Sequence, residues 1–402
     1  MDNLPTTPQP ANPVAPTPAP QASSLVFDPA GEIEGLKKLA DSVPMPAGLK
    51  EKIDKMLIRL TRMVQLGSYS REYEPVEQYI KWAVQIPWGK YTSDNLDLVN
   101  AKDNLTKYHY GLDQIKDRIL EYLAVMKLQV AEVTGVQATA TNTVSTDHSE
   151  EMSRLQGSSS HAPILCFVGI QGVGKTSMAK SIGSALGRKF IRVALGALGN
   201  VSQIRGTPVG QDNAEPGQII KAMIRAGTMN PLILLDEIDK TSSESGLRAD
   251  LMAALLEILD PEQNSTFVDH YLDYPIDLSQ VMFITTANNL GGISAALLDR
   301  LEVIRFGSYT DDEKVAIAKD YMLPKVREAT GIGPDQLSFD DDVWPYVVRP
   351  LGFDAGVRQL ERTLTLLARK VARLIVEGKG TSFKVTKENF REFIPEDIGV
   401  YS

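Results

Sequence analysis

The order of apolar and polar positions divides the chain into blocks. Between residues 48 and 66, Ile53, Met56, Leu57, Leu60, Met63 and Val64 recur at helical spacing, which predicts a helix with one buried face. A second stripe, Val76, Tyr79, Ile80, Ala83 and Val84, stops at Pro87, and Ile115, Ile119, Leu120 and Leu123 mark a third. Together they predict an all-helical region over 25–130. From Pro163 the period changes. Apolar runs at Ile164–Val168, Phe190–Ala194, Leu232–Leu235, Val281–Thr286 and Val303–Phe306 alternate with helical segments. Such alternation produces a parallel sheet with helices on both faces, so the expected fold class over 163–308 is α/β. After Gly307 the strands are expected to stop. Asp311–Ala329 and Ala355–Glu377 predict helices, and Lys384-Val385 with a short helix near Glu388–Phe393 close a small helical domain over 309–402.

Two stretches fit neither period. Residues 1–24 carry Pro5, Pro8, Pro10, Pro13, Pro16, Pro18 and Pro20, which predicts a solvated, partly polyproline II tail, a spacer in preference to a docking segment. Residues 131–162 are dominated by Ser and Thr, with too few apolar groups to offset their ordering entropy, and predict a flexible insert.

The strand Ile164–Val168 runs into Gly169-Ile170-Gln171-Gly172-Val173-Gly174-Lys175-Thr176-Ser177, which fits G-x-x-x-x-G-K-[ST] without a mismatch. Met178, Ile182, Ala185 and Leu186 continue at helical spacing. Strand, glycine loop and helix are the context in which backbone N–H groups turn inward around phosphate oxygens, helped by the helix N-terminus. Lys175 can then reach the β- and γ-phosphates of ATP, and Thr176 can hold Mg²⁺. About sixty residues on, four apolar positions end in Asp236-Glu237. A strand emerging there puts Asp236 near the Mg²⁺ and Glu237 where it can polarise an attacking water. Asn288 ends the run Ile284-Thr285-Thr286-Ala287 and could orient the water or the γ-phosphate, although on its own a strand-end turn asparagine is the favoured account. Arg300 and Arg358 are each compatible with a surface ion pair or with positive charge supplied to a phosphate. The residues alone do not choose.

A net charge of −9 with no basic stripe argues against nucleic acid as a partner. The single cysteine, Cys166, excludes an internal disulfide and lies in a strand, where a buried structural thiol is expected. That suits a reducing, cytoplasmic setting. The histidines His109, His148, His161 and His270 lack metal-ligand spacing, so no zinc site is expected. No run of 18 apolar residues marks a membrane span, and the first residues lack the features of a secretory signal.

The order of these motifs resembles the AAA+ ATPase module of the Lon protease family. Further strings carry the likeness: Ile86-Pro87-Trp88-Gly89, His109-Tyr110-Gly111-Leu112, Leu259-Asp260-Pro261-Glu262-Gln263-Asn264, Asp269-His270-Tyr271-Leu272 and Gly356-Val357-Arg358-Gln359-Leu360. The resemblance spans about residues 32–130 and 162–395. It implies a P-loop sheet with a C-terminal helical lid, an ATP hydrolase, and a ring oligomer, a hexamer in that family. It implies that Asp236 and Glu237 form the Walker B pair and that Asn288 is sensor 1. Arg300 would be an arginine finger acting on a neighbouring subunit, and Arg358 sensor 2. His109, Tyr110 and Gly111 would lie at the adenine. The sequence departs from the family in three ways. No serine–lysine peptidase domain follows before Ser402, so peptidase activity is not expected from this chain alone and a separate peptidase would be its partner. A proline-rich tail stands where the family has a globular N-terminal domain. The loop Arg205–Gly217 has Gln211 and Asp212 where the family's substrate-gripping loop has an aromatic and an aliphatic residue. Three uses of ATP follow as alternatives: protein remodelling, driving a separate peptidase, and gating a scaffold that does not thread polypeptide.

Overall fold

The computed structural model describes residues 29–65, 73–134, 164–240, 245–348 and 356–394. The proline-rich tail and most of the expected insert lie outside these residues.

Helices α1 (Pro29–Asp41), α2 (Ala47–Gln65) and α3 (Tyr73–Gln85) bury the stripes read from the sequence. Leu49, Ile53, Leu57 and Leu60 line the inner face of α2, and Tyr79, Ile80 and Ala83 that of α3. The region is fastened to the α/β domain by polar bonds at an apolar contact. The Tyr79 hydroxyl donates to the Leu272 carbonyl at 2.7 Å, and Lys52 Nζ donates to the same carbonyl at 2.9 Å. Helix α4 (Leu98–Tyr108) is capped by Asp97, whose carboxylate accepts the Val99 and Asn100 N–H groups. Helix α5 follows (Asp113–Thr134). Composition puts the start of the insert at residue 131, but α5 runs to Thr134 and Ala131 is buried. Ala131 extends an apolar face that composition alone did not reveal.

The central sheet has the order β2 (Phe190–Ala194), β3 (Leu232–Asp236), β6 (Met282–Ala287), β1 (Ile164–Val168), β7 (Leu301–Arg305), all parallel. β3 and β6 are buried along their whole length, as a parallel sheet covered on both faces requires. Helices α6 (Lys175–Leu186), α7 (Gln218–Ala226) and α8 (Ser245–Leu259) belong to the crossovers. One core, with Met178, Ile182 and Leu186, joins α4–α6 to the sheet, while another joins α1–α3, α7 and α8 to its other side. The chain runs from β1 through α6 to the far edge strand β2, and later steps from β6 past β1 to β7. Ligands in open α/β sheets bind at the carboxyl ends of strands beside such a reversal.

A buried fork holds the approach to α4 against this sheet. Arg188 donates from Nε to Asp94 Oδ1 at 2.7 Å and from a terminal nitrogen to Oδ2 at 2.6 Å.

The C-terminal domain holds α9 (Asp311–Ala316), a π-helical turn over Ile317–Met322, α10 (Leu323–Thr330), α11 (Trp344–Val348) and α12 (Arg358–Val376). A capping box of Thr310 and Glu313 starts α9. The wide π turn precedes Pro324, which has no N–H and would crowd the carbonyl four residues back in a regular helix. The expectation that strands stop after Gly307 is corrected here. β8 (Leu337–Phe339) pairs in parallel with β9 (Phe383–Val385), and a separate hairpin joins β4 (Phe267–Asp269) to β5 (Tyr274–Ile276). Three-residue strands are too short to show a period.

Candidate functional site

The glycine loop leaves β1 under close constraint. A Cβ on Gly169 would lie 2.6 Å from the Phe306 carbonyl oxygen, so the first position admits no side chain. Gly172 and Gly174 take φ +84° and +97°, the left-handed region that glycine occupies freely. Gly174 is the N-cap of α6, and buried Lys175 is its first helical residue. Lys175 Nζ donates to the carbonyls of Gly169 and Ile170 and, at 3.2 Å, to Asn288 Oδ1. Burial pulls the ammonium pKa below its ordinary value, against the field of Asp236 and Asp239. The C-terminal domain closes on the same loop: Val357 N–H donates to the Gly172 carbonyl at 3.1 Å.

Asp236, at the end of β3, is 4% exposed. One of its oxygens accepts the Thr286 hydroxyl and the other meets Arg192 Nε at 2.5 Å. The Thr286 hydroxyl in turn accepts the Glu237 N–H at 2.9 Å, so one side chain of β6 fixes both acids. Glu237 has φ +61°, an uncommon conformation for a residue with a Cβ and one that costs about 1–3 kcal/mol. Its carboxylate pairs with Lys240 at 3.0 Å.

At the other end of the cleft stand the residues before α5. His109 is buried, with Nε2 2.9 Å from Ser181 Oγ on α6. Burial and the nearby Lys116 charge push its pKa down to about 4, so the imidazole is neutral at neutral pH. Gly111 turns the chain with φ +57°. Tyr110 and Tyr321 meet edge to face, 6.3 Å between ring centres. The Tyr309 hydroxyl donates to the Val173 carbonyl at 2.9 Å.

A single cavity of about 300 Å³, within the range of small-ligand sites, connects these parts. Of the residues singled out in the sequence, it is lined by His109, Tyr110, Gln171, Gly172, Gly174, Lys175, Thr176, Ser177, Asp236, Glu237, Asn288 and Arg358. Gly169, Val173 and Gly111 are not among the lining residues; the carbonyls of Gly169 and Val173 accept from Lys175 Nζ and from the Tyr309 hydroxyl. Arg300 is not among the lining residues. It is part-exposed, donating to Asp260 Oδ2 at 2.9 Å and to the Ala296 carbonyl. Sequence reasoning missed Tyr309, Tyr321, Lys325 and Glu361, which reach the cavity from the C-terminal domain, and Arg192 and Thr286 beside the acids. Thr286 lay within a quoted string without a role. Glu361 directly follows the quoted string Gly356–Leu360, also without a role, and the others are isolated positions with no motif to mark them.

Residues 165–309 match the model for the ATPase family associated with various cellular activities (AAA), and residues 328–384 match the Lon protease AAA+ ATPase lid domain. The chain is similar to a Lon protease of Lawsonia intracellularis, 42% identical over 368 residues, covering 92% of this chain and 40% of that protein. It is also similar to Lon protease 1 of Bacillus subtilis, 42% identical over 371 residues, covering 92% and 44%. Lon protease 2 of Thermus thermophilus is 41% identical over 363 residues, covering 90% and 42%. The chain thus spans less than half the length of these relatives. Among the described residues no helix is long and apolar enough to cross a membrane.

Proposed function

We propose that this chain, which carries the AAA+ ATPase module of the Lon protease family, binds and hydrolyses ATP with Mg²⁺ in a ring and uses the cycle to remodel protein partners. The observation that carries the reading is the convergence of Lys175, Asp236, Glu237, Asn288 and Arg358 on one cavity, from four separate stretches of chain. Loop N–H groups and Lys175 would hold the phosphates. The Thr176 hydroxyl and, through water, the Asp236 carboxylate would hold Mg²⁺; an all-oxygen donor set suits that hard ion. The metal would neutralise charge on the β- and γ-phosphate oxygens. Glu237 polarises the attacking water, Asn288 orients it, and Arg358 brings positive charge from the lid. His109, Tyr110 and Gly111 form the base end.

Arg300 lies outside its own chain's cavity and is part-exposed, which supports a role in completing a neighbour's site. That makes the ring, of six copies in this reading, part of the chemistry. A second use of the cycle, driving a Lon-type peptidase, is supported by the likeness to Lon proteases. A third, a nucleotide-gated scaffold, is supported by Gln211 and Asp212, which are exposed on their loop. An amide and a carboxylate give no apolar grip on a threaded chain. The reading is tested with Glu237→Gln. It should bind ATP with unchanged affinity while Mg²⁺-dependent turnover falls by about 10²-fold or more. Unchanged turnover would refute it. ATP-driven unfolding of a tagged protein would exclude the scaffold, and ATP-dependent degradation with a co-purified peptidase would establish the protease role.

A further inference from the structure

Asp236 has both oxygens engaged within the protein. Thr286 occupies one, on the buried side. Arg192 occupies the other, its Nε 2.5 Å away. The two partners differ in how easily they leave. Thr286 lies on the central strand β6 and is fully buried. Arg192 lies on the edge strand β2, and its side chain is 50% exposed. Parallel pairing sets Arg192 beside Leu234 and Ala194 beside Asp236, so the arginine stands two residues back on the same face and reaches forward to the carboxylate. Lys175 turns its ammonium to the loop carbonyls and Asn288, leaving Asp236 to Arg192.

A buried pair elsewhere in the molecule shows what a permanent arginine fork looks like. Arg188 grips Asp94 with Nε and a terminal nitrogen, and both side chains are 4% exposed. Arg192 makes a contact through Nε alone and keeps half its side chain in water. Such a contact is cheap to exchange, because the guanidinium can be rehydrated without opening the core. The carboxylate cannot follow it out, and without a cation it would be left as an unpaired buried charge.

We infer that Arg192 is a placeholder for the metal: it holds Asp236 through Oδ2, the oxygen that Thr286 leaves free, and competes with the divalent cation for it, so metal loading requires the guanidinium to swing off the sheet edge. This rests on Asp236 being the metal-side acid of the proposed function. Arg192 therefore sets how much divalent cation the nucleotide complex needs, acting through Asp236 as a positioning residue.

The test uses the full chain with a saturating non-hydrolysable ATP analogue, titrated with Mn²⁺ and read as free Mn²⁺ by electron paramagnetic resonance, against the analogue alone. Arg192→Gln should lower the Mn²⁺ midpoint by about fivefold, the scale of a part-exposed ion pair. Arg192→Lys, which keeps the charge, should restore most of the parental midpoint. Asp236→Asn should raise the midpoint and make it insensitive to Arg192→Gln, because the two side chains act as one unit. If Asp236→Asn takes up Mn²⁺ like the parent, the metal assignment itself fails. If Asp236→Asn weakens uptake but Arg192→Gln leaves the midpoint unmoved, or shifts it equally in the Asp236→Asn background, the competition alone is overturned.

Discussion

Two glycine-bearing loops leave the carboxyl side of the sheet, and they put their glycines to opposite uses. The loop after β1 has Gly172 and Gly174 along its turn, with positive φ, so its backbone faces a cavity that Lys175 enters from below. The loop after β2 keeps Gly206 and Gly217 at its feet. A Cβ on Gly217 would sit 1.8 Å from the Ile204 carbonyl oxygen, and one on Gly206 would sit 2.7 Å from Asp269. The buried Asp269 carboxylate accepts N–H groups from Gly217, Tyr271 and Leu272 at 2.7, 2.9 and 3.1 Å. Residues 208–213 at the tip are exposed. Glycine along a turn opens the backbone onto a cavity, whereas glycine at the base lets a loop be clamped while its tip stays exposed.

The sharpest way to break this comparison is at the lysine. Lys175→Ala should lower nucleotide affinity by about 100-fold or more, since it removes charge-assisted bonds to phosphate. Isothermal titration with ATP and with a non-hydrolysable analogue checks it. If binding survives, the first loop is not built for a ligand.

The clamp is tested next. Gly217→Ala should destabilise the fold by roughly 3 kcal/mol, because the clash is with backbone that cannot yield. Gly210→Ala, at the tip, has φ +95° but open space around its Cβ and should cost only about 1 kcal/mol. Urea midpoints for the two variants measure the difference, and equal losses would contradict the clamp.

Each loop also has a buried titratable group behind it, and the two slope in opposite directions with pH. His109 is pushed down to about 4 from an ordinary 6.5, so the unfolded chain binds more protons between those values and stability falls as pH falls through them. Burial pushes the Asp269 carboxyl up to about 6 from 3.8, against the pull of its N–H partners. There the folded protein binds more protons, and stability falls as pH rises toward 6. His109→Asn should therefore flatten the loss on acidification, and Asp269→Asn should steepen it, each by about 1–3 kcal/mol across the window. Urea unfolding at stepped pH reads both slopes, and the same sign in both variants would refute the assignment.

The smallest effect belongs to the exposed tip. Gln211→Ala and Asp212→Ala should each change stability by less than about 0.5 kcal/mol and leave ATP turnover unaltered.

The sheet and the glycine-loop side of the cavity were legible in the sequence because each rests on a contiguous pattern. Leu232–Leu235 reads as a buried strand ending in acids, and Gly169–Thr176 reads as a loop with its lysine. The strands β8 and β9 were not legible, since three residues carry no period. The remainder of the site was hidden for a different reason. Tyr309, Tyr321 and Lys325 meet the cavity only because the C-terminal domain folds over Gly172, a contact between positions far apart in the chain. Arg192 faces Asp236 only because β2 pairs with β3. Arg300 was legible as a candidate, but the geometry of one chain places it away from its own cavity.

The most direct measurement is ATP turnover per chain as a function of protein concentration, for the parent, for Arg300→Ala, and for Arg300→Ala mixed with Glu237→Gln. The account predicts a rate per chain that climbs with concentration and falls by about 10³-fold or more in Arg300→Ala. In the mixture activity should partly return, because chains lacking Glu237 lend their Arg300 to neighbours that keep the glutamate. Turnover independent of concentration and untouched by Arg300→Ala would contradict it.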